Sequence, residues 1–402
     1  MPLESAVREV AACLLDRDFV LIHAHHDSDG IAAGSILCHA LRRADVPFRM
    51  RTGMDAEPAD MKGDLVLCDI GSQLHSLPED TVVIDHHTPI FEGPYHVNPH
   101  LFGIDGQRDL SASAAAYLIA MEMGDNADLA GIALLGMLGD RQAIAGENRR
   151  IVNEGIAKGV IEPAKGLLLA GGDDVERLLY AIDPYLPGVS GNEAVCRGIA
   201  AALDGGEGEG RDLLLSRLVL EAAAGASTEA LTRLYGTRYL LKRECLEDAH
   251  TLMALVDSCG KSERGGLGTA LCLRHVPALE DAVGVMRHFR RQVIEALTGA
   301  GRGEGALLWI EVPHSGLTGS VADALAWDME VQRPVAVFAR EGGRCRISLR
   351  APRGMRLDLG AIARSAADAC GGSGGGHTDR AGALVETEMF GCFRERLAEA
   401  FG

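Results

Sequence analysis

Three histidines and two aspartates crowd into one stretch, His23-Ala-His25-His26-Asp27-Ser28-Asp29-Gly30, directly after the apolar run Val20-Leu21-Ile22. Ionisable groups at that density repel one another, or lose hydration at a cost, unless a cation holds them. A divalent metal is the simplest candidate. Three further acidic sites share the setting, each directly after an apolar run. They are Asp69 after 65–68, Asp85-His86-His87 after 82–84, and Asp140 after 134–139. A single aspartate ending a strand is an ordinary turn former or helix cap. Four such sites at the carboxyl edge of one parallel sheet would instead line a cleft. Adjacent His86 and His87 can approach one site only where the backbone turns at a strand end, because neighbours within a strand face opposite ways.

Carboxylates and imidazoles without thiolates make a site of intermediate hardness, better suited to Mn²⁺ or Mg²⁺ than to structural Zn²⁺. Six or seven such ligands exceed the needs of one ion, and two metals about 3.5–4 Å apart are the natural arrangement. Such a pair clamps the attacking and leaving oxygens of an in-line phosphoryl displacement. It also lowers the pKa of a bound water by as much as roughly 8 units, on the order of 11 kcal/mol, so no side-chain nucleophile is required. No Walker A sequence is present, and the G-x-S-x-G match at 371–375 lies in a glycine run with no strand directly before it. It makes a poor nucleophile elbow.

The elements that must position these residues follow from the apolar periodicity. Short apolar strands are expected at 19–22, 48–52, 65–68, 82–84 and 95–97, with helices at 31–44, 112–123 and 129–138 between and after them. Ser111 or Ser113 could cap the first of the two later helices. Alternating strands and helices predict an α/β fold with a parallel sheet. Residues 151–262 are rich in Ala, Leu, Glu and Arg and read as a helical connector, helical throughout 228–255, with loops at 183–191 and 205–210 and a polar linker at 261–266. Strands return at 269–273, 306–312, 335–338 and 345–349, before the run Gly371–His377 and a final helix near 393–401. The expected organisation is a parallel-sheet domain over 1–165, a helical connector over 166–265 and a smaller C-terminal α/β domain over 266–402, with a cleft between.

Bulk composition narrows the class. A chain of 402 residues with 47% hydrophobic and 24% charged residues is long enough for two or three cores. No apolar run reaches the roughly 18 residues that span a bilayer, and Met1 to Arg17 has no signal-peptide core, so a cytoplasmic protein off the membrane is expected. The ten cysteines include no C-x-x-C pair, which argues against a zinc knuckle and a disulfide framework. A net charge of −18 disfavours a broad nucleic-acid surface and leaves room for a local basic groove.

The set His23, Asp27 and Asp29, then Asp69, then Asp85-His86-His87, then Gly139-Asp140 resembles the DHH phosphoesterase superfamily. The run Gly374-Gly375-Gly376-His377, followed by Ala381-Gly382-Ala383, resembles its substrate-binding C-terminal domain. Within the superfamily the chain looks most like archaeal RecJ-like nucleases, including those associated with the GINS replication complex, to which the loops 96–100, 103–106 and 184–191 add. The resemblance implies one metal held by His23, Asp27 and Asp69 and a second by Asp29, Asp69, His86 and Asp140, with Asp69 bridging. His87 would face the scissile phosphate and Asp85 would orient the histidines, leaving His25 and His26 outside the ligand set. Mn²⁺ is the expected ion, with Mg²⁺ as the alternative.

In the C-terminal domain the glycine run would let backbone N–H groups approach a phosphate, and His377 separates it from a plain flexible linker. Arg350, near Ser348 at a strand end, is the expected phosphate-gripping arginine, since a guanidinium binds phosphate bidentately. His314 is a weaker candidate. Arg287, Arg290 and Arg291 read as a solvated helix face more readily than as a strand-binding groove. The expected activity is therefore a two-metal exonuclease on single-stranded DNA or RNA ends, with roles in DNA repair or replication. The alternatives are a phosphodiesterase of short oligonucleotides or cyclic dinucleotides, and a replication-complex scaffold working through GINS-type protein contacts. Low aromatic content, 4%, favours short or backbone-read substrates. An inorganic pyrophosphatase is disfavoured by the glycine-histidine motif.

Overall fold

Residues 2–54, 64–201, 209–301, 305–329, 331–355 and 357–401 are described by a computed structural model. The chain divides into two units, Met1–Gly166 with Thr237–Met286 and Leu167–Gly236 with Arg287–Gly402. In the first unit, helix α1 (Leu3–Leu15) precedes β1 (Val20–His25), α2 (Ser28–Arg43), β2 (Phe48–Gly53), β3 (Leu65–Cys68), β4 (Val82–Ile84) and β5 (His96–Val97). These strands form one sheet in the order β2-β1-β3-β4-β5, every pair parallel. A parallel sheet is covered on both faces, and β3 and β4 are accordingly apolar and buried along their whole length.

Helices α3 (Ala112–Met123), α4 (Ala130–Gly139) and α5 (Gly146–Ala157) follow, with α2, α3 and α4 packed on one another. Of the two serines considered as caps, Ser111 is the one that serves, its Oγ accepting from the Ala114 N–H at 3.1 Å. After β6 (Ile161–Leu167) come α6 (Asp174–Leu179), α7 (Glu193–Ala200), α8 (Glu209–Ala222) and α9 (Thr228–Thr232). These helices enclose a core that includes Leu178, Leu186, Val189, Leu218 and Leu234. β7 (Tyr235–Leu241) then pairs with β6, and α10 (Ala249–Lys261) and α11 (Gly265–Cys272) return to the first unit. There Arg274 pairs with Asp128 at 2.7 Å and Glu244 at 3.1 Å, and Asp128 also pairs with Arg43 of α2 at 2.7 Å. The two guanidinium groups hold the Asp128 carboxyl below its ordinary range against the opposing effect of burial.

After α12 (Leu279–Gly299) the second unit builds its own sheet from β8 (Leu308–Glu311), β9 (Val335–Glu341), β10 (Arg344–Arg350), β11 (Ser373–Gly376) and β12 (Arg380–Glu386). Helix α13 (Thr318–Asp323) lies between β8 and β9, α14 (Leu359–Asp368) between β10 and β11, and α15 (Phe390–Phe401) ends the chain. The order is β11-β12-β10-β9-β8, antiparallel except for β8 with β9.

The fold class agrees with the sequence reading, and several elements differ from it. The first strand runs on through His23 and His25, and its helix begins at Ser28. Histidines broke the apolar signal there without breaking the strand. The helix expected over 228–255 is interrupted by β7, whose Tyr-Gly-Thr-Arg-Tyr sequence carries β-favouring residues within an Ala- and Leu-rich region. The strand expected at 269–273 falls within α11, since a short apolar run does not distinguish a strand from a buried helix. The glycine run at 371–377 contains a true strand, β11, lying against α14 so closely that a Cβ on Gly374 would sit 2.6 Å from the Ala363 carbonyl. Of the loop expected over 205–210, residues 205–208 lie outside the described residues, and α8 starts at Glu209. No described helix is long and apolar enough to cross a membrane.

Helix α10 meets the turn after β1 at backbone distance, and a Cβ on Gly260 would lie 1.5 Å from the His26 carbonyl oxygen. Gly260→Ala should therefore destabilise the protein by about 1–3 kcal/mol, through forced displacement of α10. Gly284→Ala on exposed α12, where nothing lies within 4 Å, should instead stabilise it by about 0.4–1 kcal/mol. Urea denaturation of the two variants checks both signs.

Candidate metal centre

The carboxyl ends of β1, β3 and β4 deliver the acidic and histidine side chains to one edge of the parallel sheet. Asp27 caps α2, its Oδ1 accepting from the Gly30 N–H at 3.0 Å, while Oδ2 lies 2.9 Å from His25 Nδ1. Asp69 follows β3 with φ 60°, a left-handed conformation that a non-glycine residue adopts at a cost. Its Oδ2 lies 3.2 Å from His25 Nδ1 and its Oδ1 3.2 Å from His86 Nε2. His86 Nε2 also lies 3.0 Å from Asp140 Oδ2 and 3.9 Å from Asp29 Oδ2.

Asp29 is fully buried in the first turn of α2, where the N–H groups of Ala112 and Ser113 donate to its two oxygens at 2.8 and 2.9 Å. Helix α4 reaches this turn through two glycines. A Cβ on Gly136 would lie 1.9 Å from Asp29 Oδ1, and one on Gly139 1.7 Å from Ser28 Oγ. That approach carries Asp140, at the carboxyl end of α4, into the cluster.

Asp85 is a hub of hydrogen bonds. Its Oδ1 accepts from the His86 N–H at 2.7 Å, the His87 N–H at 3.1 Å and His87 Nδ1 at 2.7 Å, and its Oδ2 from the Ser72 N–H at 2.9 Å. His86 Nδ1 donates to the Gly106 carbonyl at 2.7 Å, which turns Nε2 toward the carboxylates. Asn98 holds the loop from behind, donating to the His87 carbonyl at 2.8 Å and to Ser72 Oγ at 2.9 Å.

The electrostatics of this cluster are those of a cation site. Burial pushes the Asp29 carboxyl up to about 8, with Asp140 and Asp69 adding to the shift. Burial and Asp27 raise Asp69. Burial would lower His86, but Asp140 and Asp69 outweigh it and raise the ring well above its ordinary range, and Asp27 and Asp69 do the same for His25. Asp69 Oδ1 and Asp140 Oδ2 are buried and accept no hydrogen bond among the described residues. His86 Nε2 lies 3.2 and 3.0 Å from them, while the Nδ1 of the same ring donates to the Gly106 carbonyl. Buried carboxylate oxygens grouped around an imidazole nitrogen are a donor set that fits a divalent ion, which would displace the Nε2 proton. Three sets of groups could hold one, with ligand atoms within 4.8 Å of one another: His25, Asp27 and Asp69; Asp29, His86 and Asp140; and Asp69, His86 and His87.

Among the expected ligands, Asp27, Asp29, Asp69, His86 and Asp140 come together in these sets, whereas His23 belongs to none of them. It is buried within β1, with Nδ1 3.0 Å from Arg51 Nη2. A strand rises about 3.3 Å per residue, so His23 lies a full pleat behind the edge that His25 reaches on the same side. The assignment of His23 follows from the resemblance alone; the i, i+2 spacing of the two histidines places both on one face of β1. Ser72 escaped the sequence reading, and the loops that carry Asn98 and the Gly106 carbonyl were named in it without a role for either, because a supporting hydrogen bond has no motif.

The residues expected to bind substrate lie in the second unit. Ser348 of β10 donates to Thr318 Oγ1 at 3.0 Å, and Arg350 pairs with Asp323. Gly374, Gly375 and Gly376 form β11, where Gly375 pairs with Gly382 and Gly382 with Ser348 across three adjacent strands. His377 follows, its N–H bonded to the Arg380 carbonyl at 2.7 Å. His314 Nε2 lies 3.3 Å from Gln292 Oε1. The arginines of α12 serve packing: Arg287 pairs with Glu176 at 2.8 Å, and Arg290 is buried, donating to the Tyr180 carbonyl at 3.0 Å.

A family model for the DHHA1 domain matches residues 307–402. The uncharacterized protein MJ0831 of Methanocaldococcus jannaschii is 24% identical, over 96% of this chain and 93% of its own. Among solved structures, RecJ of Thermus thermophilus in complex with Mn²⁺ is similar over 99% of this chain, with TM-score 0.62 and 18% identity. The match takes in 54% of that RecJ, so this chain spans about half its length. An exonuclease RecJ bound to manganese is similar with TM-score 0.58 and 16% identity, covering 100% of this chain and 94% of its own. Entamoeba histolytica CDC45 is similar with TM-score 0.62 and 10% identity, covering 99% and 98%. The fold is thus similar to that of RecJ and CDC45. A DHHA1 domain at residues 307–402 stands within a RecJ-like fold.

Calorimetric titration with Mn²⁺ tests the ligand assignment. Asp69→Asn, which removes the group shared by two of the sets, should reduce the bound ions per chain more than Asp140→Asn does. His25→Ala should weaken binding at least about tenfold, and His23→Ala should do so less. A larger loss from His23→Ala would restore His23 to the ligand set.

Proposed function

We propose that the chain is a divalent-metal-dependent phosphodiesterase that hydrolyses phosphodiester bonds at the ends of single-stranded DNA or RNA. The observation that supports it best is the overlap of three ligand sets through Asp69 and His86. Such overlap suits two neighbouring ions, with Mn²⁺ preferred, rather than one. His25, Asp27 and Asp69 would hold the first, and Asp29, Asp69, His86 and Asp140 the second. Bound there, the ions supply Lewis acidity to the phosphoryl oxygens and lower the pKa of a water molecule.

The protein's own part is orientation and proton handling. Asp85 fixes His87 through Nδ1 and, against the effect of burial, raises its pKa, so the imidazolium persists nearer neutrality. His87 Nε2 is then the atom that carries a proton to the departing oxygen. Catalysis falls within residues 1–165 in this reading, and substrate holding by Ser348, Arg350, His314, Gly374–Gly376 and His377 within 266–402.

A second reading, cleavage of short oligonucleotides, is favoured by where the aromatic residues lie. Trp309, Phe338 and Phe390 pack on one another with ring centres 4.5–6.0 Å apart, and Trp327 is buried. A long strand held by stacking would need such rings exposed.

End-labelled single strands of graded length, incubated with Mn²⁺, separate the two. The exonuclease reading expects stepwise shortening of long strands, abolished by Asp69→Ala and slowed about 10²–10⁴-fold in kcat by His87→Ala. Persistence of long strands while dinucleotides vanish selects the second reading. Full activity in Asp69→Ala would overturn both.

A further inference from the structure

One feature of the second unit is not accounted for by packing. Three guanidinium groups surround a single ring: the Cζ atoms of Arg350, Arg353 and Arg380 lie 5.7, 5.4 and 5.3 Å from the centre of Trp327. An aromatic ring has two faces, so at least two of these cations share one. Trp327 is 3% exposed, sits in a wide π-type turn, and is anchored by its indole N–H to the Ala351 carbonyl at 3.1 Å. The ring is therefore a fixed platform for the arginine side chains.

The charges do not balance locally. Arg350 pairs with Asp323, and Arg353 pairs with Glu229 at 2.7 Å. Arg380 is half-buried and makes no ion pair among the described residues. Its backbone partner across β10 and β12 is Arg350 itself. Like charges directly opposite one another on adjacent strands are destabilising. Two arginines in register, both drawn to one buried indole, form an arrangement that an anion between them would relieve.

We infer that Arg380 and Arg353, held on Trp327, form an anion-binding position for a further phosphate of the substrate strand, adjacent to the phosphate gripped by Arg350. Guanidinium groups bind phosphate oxygens bidentately, and three guanidinium groups beside one ring, carrying one positive charge more than the two carboxylates paired with them, suit a strand's successive phosphates better than a single monoester. The site reads backbone charge and not base identity, since its only aromatic is buried beneath the arginines. This inference rests on the proposal that the second unit holds substrate phosphate through Arg350.

The test uses the full-length protein carrying Asp69→Ala, so that oligomers bind without being cut. The probes are a fluorescein-labelled oligothymidylate of six residues and a thymidine 5′-monophosphate competitor. Arg380→Gln is expected to weaken hexamer binding about tenfold and to lower the slope of log K against log salt by about 0.7, the value of one single-strand phosphate contact. Monophosphate competition should be unchanged, and Arg380→Lys should keep the salt slope. Without ligand, Arg380→Gln should melt no lower than its parent, because it removes a like-charge pair; a melting temperature lowered by several degrees would mark Arg380 as structural and overturn the inference. Unchanged hexamer affinity and salt slope in Arg380→Gln, with Arg350→Gln weakened, would overturn it while leaving the proposed function standing. If protein with Asp69 intact neither binds nor cleaves the hexamer, the proposed function itself fails and takes the inference with it.

Discussion

Four carboxylates, of Asp27, Asp29, Asp69 and Asp140, are brought to one sheet edge, two of them buried, and the surrounding structure is arranged around the cost of that burial and repulsion. Asp29 shows the pressure most plainly. It has no solvent exposure, and two backbone N–H donors do not prevent burial and two neighbouring carboxylates from pushing it up to about 8. Left to itself, the cluster raises the proton affinity of Asp29 and His86. A divalent cation offsets the carboxylate charge without added protons. The glycines at 136 and 139 on α4, the Ser111 cap that aims the first N–H groups of α3, and the strained Asp69 backbone all serve to bring the carboxylates closer than repulsion favours.

The second requirement is that two consecutive histidines do different things. His86 is committed on both sides, to the Gly106 carbonyl through Nδ1 and to the carboxylates through Nε2. His87 lies beside it, its Nδ1 tied to Asp85 Oδ1 at 2.7 Å. One aspartate achieves the division by accepting from both backbone N–H groups and from the His87 ring, with Ser72 and Asn98 fixing the turn from the opposite side. The strand-end turn therefore gives two consecutive histidines different hydrogen-bond partners.

Much of this was legible in the sequence. The acidic residues after apolar runs marked the sheet edge, because β3 and β4 are short, fully apolar and free of helical periodicity. β1 runs further than its apolar residues indicate because its last residues are histidines facing a polar edge, and along it His25, rather than His23, lies with Asp27 and Asp69. β7 and α11 were misread for a related reason: short segments in an Ala- and Leu-rich region take their form from tertiary partners. The glycine run suggested a phosphate cradle, whereas its first demand is steric, since α14 lies where side chains would otherwise stand. Networks such as Ser72–Asn98–His87 and the arginines on Trp327 join residues far apart in the chain and carry no local signature.

The central claim is that the sheet edge holds two metal ions on either side of Asp69, with His25 and not His23 as the imidazole of the first. Anomalous diffraction at the manganese edge from crystals grown with Mn²⁺ tests it most directly. The account predicts two peaks about 3.5–4 Å apart, both within bonding distance of the Asp69 carboxylate, one also bonded to His25 and the other to His86. A single peak, or a first ion bonded to His23 with His25 turned away, would contradict it.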